Sequence, residues 1–382
     1  MAAAPPSSPP TFPGCLAVLQ RVLPAYRVPF FDALASACQG GLSLAAGRPR
    51  SVESIATAER LEVARFVPAR NLHFGSPGSP AYLCLQGGLL SWLEAWQPDA
   101  LIVEANPRYL STPRLVRWMH ARRLPVLGWG LGTGSAATAS GWLAQRRRSF
   151  LRSFDGMLAY SRTGADQYIA QGFSPDSIFV ALNAVAPRPT TAPPSRSPAF
   201  GERPTILFVG RLQVRKRIDT LLRACAALPQ ALQPRLWIVG DGPARPELQT
   251  LAGSIYPQAE FTGDQRGADL QPYFASADLF VLPGTGGLAV QEAMAYALPV
   301  VVAEGDGTQD DLVRPQNGWR VPPGDVPGLT AVLQQAFSDP ARLRSMGAES
   351  YRLAVEEVNI EAMVSVFVRA LNQVTAGLLQ AA

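Results

Sequence analysis

Ile206-Leu207-Phe208-Val209-Gly210-Arg211-Leu212-Gln213-Val214-Arg215-Lys216-Arg217 passes from an apolar, strand-like run through a glycine into a basic loop, and a helix-like stretch from Ile218 to Leu228 follows. A strand feeding a helix in this way is the repeating unit of an open α/β sheet. Phosphates bind at the carboxyl edge of such strands, where helix N-terminal N–H groups converge. Arg211 and Lys216 both flank that edge. Of the 34 lysine and arginine residues in this 382-residue chain, Lys216 is the one lysine. A compact, strongly hydrated ammonium kept at a single place suggests a point charge set against a phosphate; the plainer reading is a solvated residue at a helix start.

The solitary lysine also narrows the chemistry. A P-loop needs Gly-Lys-Ser/Thr and a pyridoxal enzyme needs a Schiff-base lysine, and Lys216, between Arg215 and Arg217, fits neither pattern. The only histidines are His73 and His120, and Cys15, Cys38, Cys84 and Cys225 show no Cys-x-x-Cys spacing, so neither a zinc site nor a resident cofactor is expected. Scattered cysteines, a start that is neither basic nor followed by a signal-type apolar core, and no apolar run of bilayer length point to a reducing cytosol. A net charge of +5 favours anionic partners, and nucleic-acid motifs are absent.

The organisation is two α/β domains. Residues 1–13 read as a disordered tail, 14–185 as a first domain, 186–203 as a proline-rich linker, 204–358 as a second domain, and 359–382 as a helical segment packing back on the first. In the first domain the runs Cys15–Leu19, Leu42–Ala45, Ala100–Val103, Pro125–Leu127, Gly156–Ala159 and Ile178–Val180 alternate with helix-like stretches such as Phe30–Ala37, Leu83–Trp96 and Thr112–Arg122. In the second, strands are expected at Thr205–Val209, Arg235–Val239, Glu260–Thr262, Leu279–Leu282 and Val300–Val302, with helices at Gly328–Phe337 and Ile360–Leu379 closing the chain.

Asp278-Leu279-Phe280-Val281-Leu282-Pro283 reads as a buried strand, followed by the turn Gly284-Thr285-Gly286-Gly287 and a helix beginning near Leu288 that carries Glu292. Such a turn lets backbone N–H groups approach an anionic or hydroxyl-rich ligand; the plain alternative is a tight turn with a surface Glu. Together with Gly210, Arg211 and Lys216, these residues resemble the nucleotide-sugar half of a retaining glycosyltransferase of family 4, with the GT-B fold of two Rossmann-like doubly wound domains facing a cleft. The resemblance implies that Arg211 and Lys216 bind the donor diphosphate and act in catalysis. It also implies that Gly210, Gly284, Thr285, Gly286, Gly287 and Leu288 line the donor site and that Glu292 contacts the ribose. The family's motif places another Glu eight residues before this one, and here that position holds Gly284. A glycine there either widens the sugar pocket for a different donor or marks an inactive relative. No Asp-x-Asp occurs, so the metal motif of the other large glycosyltransferase fold is absent.

The first domain bears a fainter likeness in Leu23-Pro24-Ala25-Tyr26-Arg27-Val28-Pro29-Phe30, similar to the loop and first helix of the acceptor domain. Tyr26 and Arg27 are thus acceptor-binding candidates, with Trp129 in Gly128-Trp129-Gly130-Leu131-Gly132-Thr133-Gly134 as a third. That glycine-rich stretch fails as a dinucleotide fingerprint because no glycine falls three residues after the second of any of its G-x-G pairs. Glu104, ending Leu101-Ile102-Val103-Glu104, is a catalytic candidate in place of a missing polar group. Arg146, Arg147, Arg148 and Arg152 interleave with Trp142, Leu143, Phe150, Leu151 and Phe154; a helix packed on the sheet with a solvated basic face is the first reading, and contact with an anionic membrane the second.

The resulting expectation is a cytoplasmic, metal-independent, retaining glycosyltransferase of polysaccharide biosynthesis, with peripheral contact at the inner face of the membrane kept as the second reading. It would move a sugar from a nucleoside-diphosphate sugar to a glycan or lipid-linked acceptor hydroxyl. The alternatives are a non-catalytic sugar-nucleotide or glycan-binding relative and a nucleotide-sugar epimerase of similar fold.

Overall fold

A computed structural model describes residues 10–53, 55–76, 79, 81–133, 141–305 and 307–380. The chain divides into two compact units, one running to Pro187 and taking in the segment from Ile360 onward, the other spanning Arg188–Asn359.

The N-terminal unit holds β1 (Leu16–Val22), α1 (Val28–Ser36), β2 (Leu42–Gly47), β3 (Arg65–Pro68), β4 (Arg70–Phe74), β5 (Leu83–Gly87), α2 (Leu89–Trp96), β6 (Ala100–Glu104), α3 (Thr112–His120), β7 (Val126–Gly130), α4 (Trp142–Leu151), β8 (Gly156–Ala159), α5 (Arg162–Ala170) and β9 (Ile178–Val180). Its main sheet has the order β3-β2-β1-β6-β7-β8-β9, with every neighbouring pair parallel. A strand covered on both faces needs a continuous apolar run rather than an alternating one, and β1 supplies it. Leu16 and Val18 join Phe30, Phe31 and Leu34 of α1 on one face, while Ala17 and Leu19 join Leu93, Leu115 and Met119 on the other. The C-terminal helix Ile360–Gln380 completes the first of these layers. Its apolar residues recur at helical spacing, and Met363, Phe367, Val368 and Leu371 are buried among the side chains of β1 and α1.

Two expectations are corrected here. Phe12, assigned to the tail, is buried and bridges to Cys38, with its N–H donating to the Ala37 carbonyl at 2.9 Å. The stretch Leu83–Trp96, read as helical, is split. Leu83-Cys84-Leu85-Gln86-Gly87 alternates with period two and pairs antiparallel with β4, and Gly88, at φ +81°, turns the chain into α2.

The C-terminal unit holds β10 (Thr205–Val209), α6 (Ile218–Ala227), β11 (Arg235–Val239), α7 (Arg245–Ile255), β12 (Ala259–Gly263), α8 (Gln271–Ser276), β13 (Leu279–Leu282), α9 (Ala289–Ala295), β14 (Val300–Ala303), α10 (Thr308–Leu312), β15 (Gly318–Val321), α11 (Val326–Ser338) and α12 (Pro340–Glu356). The strand order is β12-β11-β10-β13-β14-β15, again parallel throughout. Both units are Rossmann-like, as expected. The edge strand β15 and the helix α12 go beyond the sequence reading, and the short β15 carries only one long apolar run-former besides its tryptophan, Val321. Strand order reverses between β1 and β6 in one unit and between β10 and β13 in the other. At such switch points the loops leaving neighbouring strands diverge and open a crevice. No helix among the described residues is long and apolar enough to cross a membrane.

Candidate functional site

At the C-terminal switch point, the loop after β10 meets the turn after β13. Lys216, in a single 3-10 turn at Val214–Lys216, is 6% exposed. Its Nζ donates to the Thr285 carbonyl at 3.0 Å and to the Gly286 carbonyl. The Arg215 guanidinium also donates to the Thr285 carbonyl, at 3.1 Å, and the Thr285 N–H returns a bond of 3.1 Å to the Arg215 carbonyl. Loop and turn are thereby laced together. Burial, and then the neighbouring Arg215 charge, pushes the Lys216 ammonium down to about 8.

Gly284 makes that lacing sterically possible. A Cβ at this position would lie 2.6 Å from Lys216 Cα and nearer still to the Arg215 carbonyl oxygen. The expectation that a glycine here widens a sugar pocket is therefore corrected: the volume a side chain would need is occupied by the backbone of Arg215 and Lys216. Thr285 and Gly286 are exposed beyond it, and Gly286 takes φ +66°. Leu288 is 37% exposed immediately before α9. Glu292, in the first turn of α9, is half-buried and its carboxylate accepts no hydrogen bond among the described residues. Burial raises its pKa.

In the same unit, a cavity of about 440 Å³ opens at the carboxyl ends of β10, β11 and β12, lined among others by Gly210, Arg211, Asp241, Asp264, Gln265 and Arg266. Asp241 is paired with Arg245 at 2.9 Å and Asp264 with Arg266 at 2.7 Å, whereas Arg211 is exposed and has no carboxylate partner among the described residues. Gly240, at φ +134°, lets the β11 loop touch the Gly210 carbonyl, where any Cβ would collide. Asp264, Gln265 and Arg266 escaped the sequence reading. Their position after a strand end was the available signal.

The N-terminal switch point gathers a different set. The Glu104 carboxylate accepts the backbone N–H of Arg21, and burial pushes it up to about 7 against the opposing pull of Arg21 and Arg27. Arg21 forms a two-pronged pair with Glu53 at 2.9 Å for each contact, and the Tyr82 hydroxyl lies 2.7 Å from His73 Nδ1. Arg21, Glu53 and Tyr82 were not singled out from sequence, because only the fold brings residues so far apart in the chain together.

The acceptor candidates separate. Tyr26 is 42% exposed, but Arg27 is 5% and Trp129 1% exposed. The Arg27 guanidinium lies 4.9 Å from the Trp129 ring, which packs edge-on to Phe31 and Phe367. Trp129 is a core residue rather than an acceptor contact, since a β7 side chain facing α1 and the C-terminal helix points into the sheet layer. The arginine-rich helix also takes its plainer form: Leu151 and Phe154 are buried, Phe150 packs on the core, and Trp142 stays 62% exposed, while the Leu143 side chain lies outside the described residues.

Residues 203–339 match the sequence model of the family described as glycosyl transferases group 1. The matched stretch covers most of the C-terminal unit. Among curated proteins, the sulfoquinovosyl transferase of Arabidopsis thaliana is 36% identical over 144 residues, which is 36% of this chain and 27% of that protein. A GDP-mannose-dependent alpha-mannosyltransferase of Mycolicibacterium smegmatis is 40% identical over 139 residues, 36% of this chain and 34% of that protein. The chain thus spans about a third or less of these relatives' length. Among solved structures, sucrose-phosphate synthase of Thermosynechococcus elongatus superposes with a TM-score of 0.64 at 18% identity, over 96% of this chain and 100% of that one. Anabaena HepE in complex with UDP gives 0.64 at 16% identity with the same coverage. At these identities the likeness shows the fold, and the residues matched by the family model contain the whole laced turn together with Arg211 and Glu292.

Proposed function

We propose that the protein is a retaining glycosyltransferase that moves a sugar from a nucleoside-diphosphate sugar to a hydroxyl of a glycan or lipid-linked acceptor. The observation that carries this reading is the meeting of Lys216 with the Thr285–Gly286 turn at the switch point of the C-terminal unit, on the same β10 loop that sends Arg211, without a carboxylate partner among the described residues, into the cavity. An ammonium has three donors. Two are engaged by the turn carbonyls, which leaves the third aimed by the first two and available to a phosphate oxygen.

Charge develops on the diphosphate as the sugar bond breaks, so cations already fixed in place lower the barrier without reorganising, by about 3 kcal/mol for each well-placed group. In this reading Arg211 and Lys216 supply that charge and no resident metal is invoked. Glu292, half-buried and without a partner for its carboxylate among the described residues, is suited to accept two ribose hydroxyls. Glu104 serves the acceptor side, its raised pKa placing it near neutrality where it can hold or release a proton. Tyr26 offers an exposed ring of that unit to a sugar face.

Gly284 favours a second reading, a sugar-nucleotide-binding relative without turnover, because the carboxylate of the family motif is missing there. One experiment separates the two. The chain is incubated with UDP- and GDP-sugars and extracted lipid and glycan acceptors, and the product anomer is read by proton NMR. Transfer with the donor's own anomeric configuration is expected. Nucleotide binding without product selects the second reading, and an inverted anomer refutes the retaining assignment.

A further inference from the structure

The hairpin β4–β5 sets Leu72 opposite Leu85 and Phe74 opposite Leu83. Alternate residues of a strand face opposite ways, and the two faces of this hairpin differ sharply. Cys84 and Gln86 are buried and His73 is tied to Tyr82, whereas Leu72, Phe74, Leu83 and Leu85 remain 40%, 50%, 36% and 37% exposed. The outer edge of β5 is already occupied, because Cys84 N–H donates to the Arg108 carbonyl at 3.0 Å and the Leu110 N–H to the Cys84 carbonyl at 2.9 Å. What this hairpin leaves open is an apolar side-chain face, not a strand edge seeking another strand.

Arginines bracket that face. Arg70 stands two residues before Leu72 on the same side, exposed and without a carboxylate partner among the described residues. At the far end, the Arg50 guanidinium donates to the Gly75 carbonyl and likewise pairs with no carboxylate. Contiguous exposed apolar side chains mark a contact surface, and unpaired cations at its rim call for a negatively charged partner. A second copy of the chain fits poorly, since a twofold contact through this face would bring the same arginines towards one another.

We propose that the outer face of the β4–β5 hairpin docks on an anionic lipid bilayer, with Leu72, Phe74, Leu83 and Leu85 entering the acyl boundary and Arg50 and Arg70 meeting headgroup phosphates. Each half of that contact is familiar physics: apolar side chains partition into the boundary, and basic residues near the surface are held by the anionic leaflet. The helix Trp142–Leu151, the sequence's own candidate for this role, has turned Leu151 into the core and, among its described side chains, keeps one large exposed apolar residue, Trp142. This inference goes beyond the glycosyl-transfer reading and does not depend on it, because its test contains neither donor nor acceptor.

The test is sedimentation of the full chain with vesicles of phosphatidylcholine alone or mixed with phosphatidylglycerol. Wild type is expected to bind the mixed vesicles and to be released by salt. The double variant Leu72→Ser/Phe74→Ser should lose about tenfold or more in partitioning, and Arg70→Glu about fivefold or more. Trp142→Ser should leave partitioning unchanged. All four positions are solvent-facing, and a circular-dichroism melt confirms that each variant is folded. Equal partitioning of wild type and the double variant, or no partitioning by wild type, overturns the proposal. So does a wild-type dimer, seen by analytical ultracentrifugation, that the double variant abolishes while vesicles bind neither protein.

Discussion

Glu292 and Lys216 carry the proposed donor site at the scale of single residues, and each yields a measurement. The Glu292 carboxylate has no protein partner among the described residues, so its amide analogue disturbs nothing in the empty protein but offers one acceptor fewer to a ribose. Glu292→Gln should raise the nucleotide Kd about tenfold, the scale of a hydrogen bond to a charged group; calorimetry showing unchanged affinity would make the residue structural. Lys216 makes a pH prediction. Burial and Arg215 push its pKa down to about 8, and the protonated form is the one that attracts a diphosphate. Hence kcat/KM, which reports the free enzyme, should fall as pH rises through about 8. Lys216→Arg stays charged throughout that range and should flatten the fall, at lower activity because a planar guanidinium cannot repeat the geometry of the ammonium. A wild-type profile flat to pH 9.5 (an order-of-magnitude bound, about one and a half units above that pKa) would contradict the assignment.

The decisive element is the laced pair of loop and turn, and its legibility in the sequence was uneven. The strands β10, β11 and β13 could be read to the residue, because parallel strands buried on both faces leave continuous apolar runs bounded by glycine and proline. Lys216 and the glycine turn could likewise be read as candidates, since each sits at a strand end. Their contact could not. It depends on the approach of backbone to the missing Cβ of Gly284, which no local pattern records. Trp129 failed for a related reason: a tryptophan at a strand end looks ligand-facing until the C-terminal helix is seen packed on it. The same geometry predicts that Gly284→Ala expels the Arg215–Lys216 loop, since the obstacle is main chain rather than a flexible side-chain end. We expect a stability loss of about 1–3 kcal/mol together with weakened donor binding, read by denaturant titration and calorimetry. Wild-type stability and affinity in Gly284→Ala would show that loop and turn are not packed as described.

At the scale of the molecule, the chain returns to its first unit through Ile360–Gln380, whose Met363, Phe367, Val368 and Leu371 are 2%, 1%, 0% and 0% exposed. Burying such side chains contributes about 1.5–3 kcal/mol each, and the four together rival the whole net stability of an ordinary domain. Truncation after Asn359 should therefore unfold the N-terminal unit, seen as lost helical signal and rapid proteolysis, while Arg188–Asn359 keeps its fold and its nucleotide affinity. A truncated chain with intact N-terminal protection would contradict the packing. The central claim is that a donor diphosphate is held and its departure assisted by Arg211 and Lys216, and it is tested most directly by nucleoside-diphosphate release from a panel of UDP- and GDP-sugars. Wild type, Lys216→Ala and Arg217→Ala are compared, because Arg217 adjoins the lysine in sequence but lies beside Gly324 and Asp219. The account predicts release by wild type from at least one donor, a loss of about a hundredfold in Lys216→Ala, and a loss of no more than severalfold in Arg217→Ala. Equal losses at the two positions, or no release from any donor with acceptors present, would contradict it.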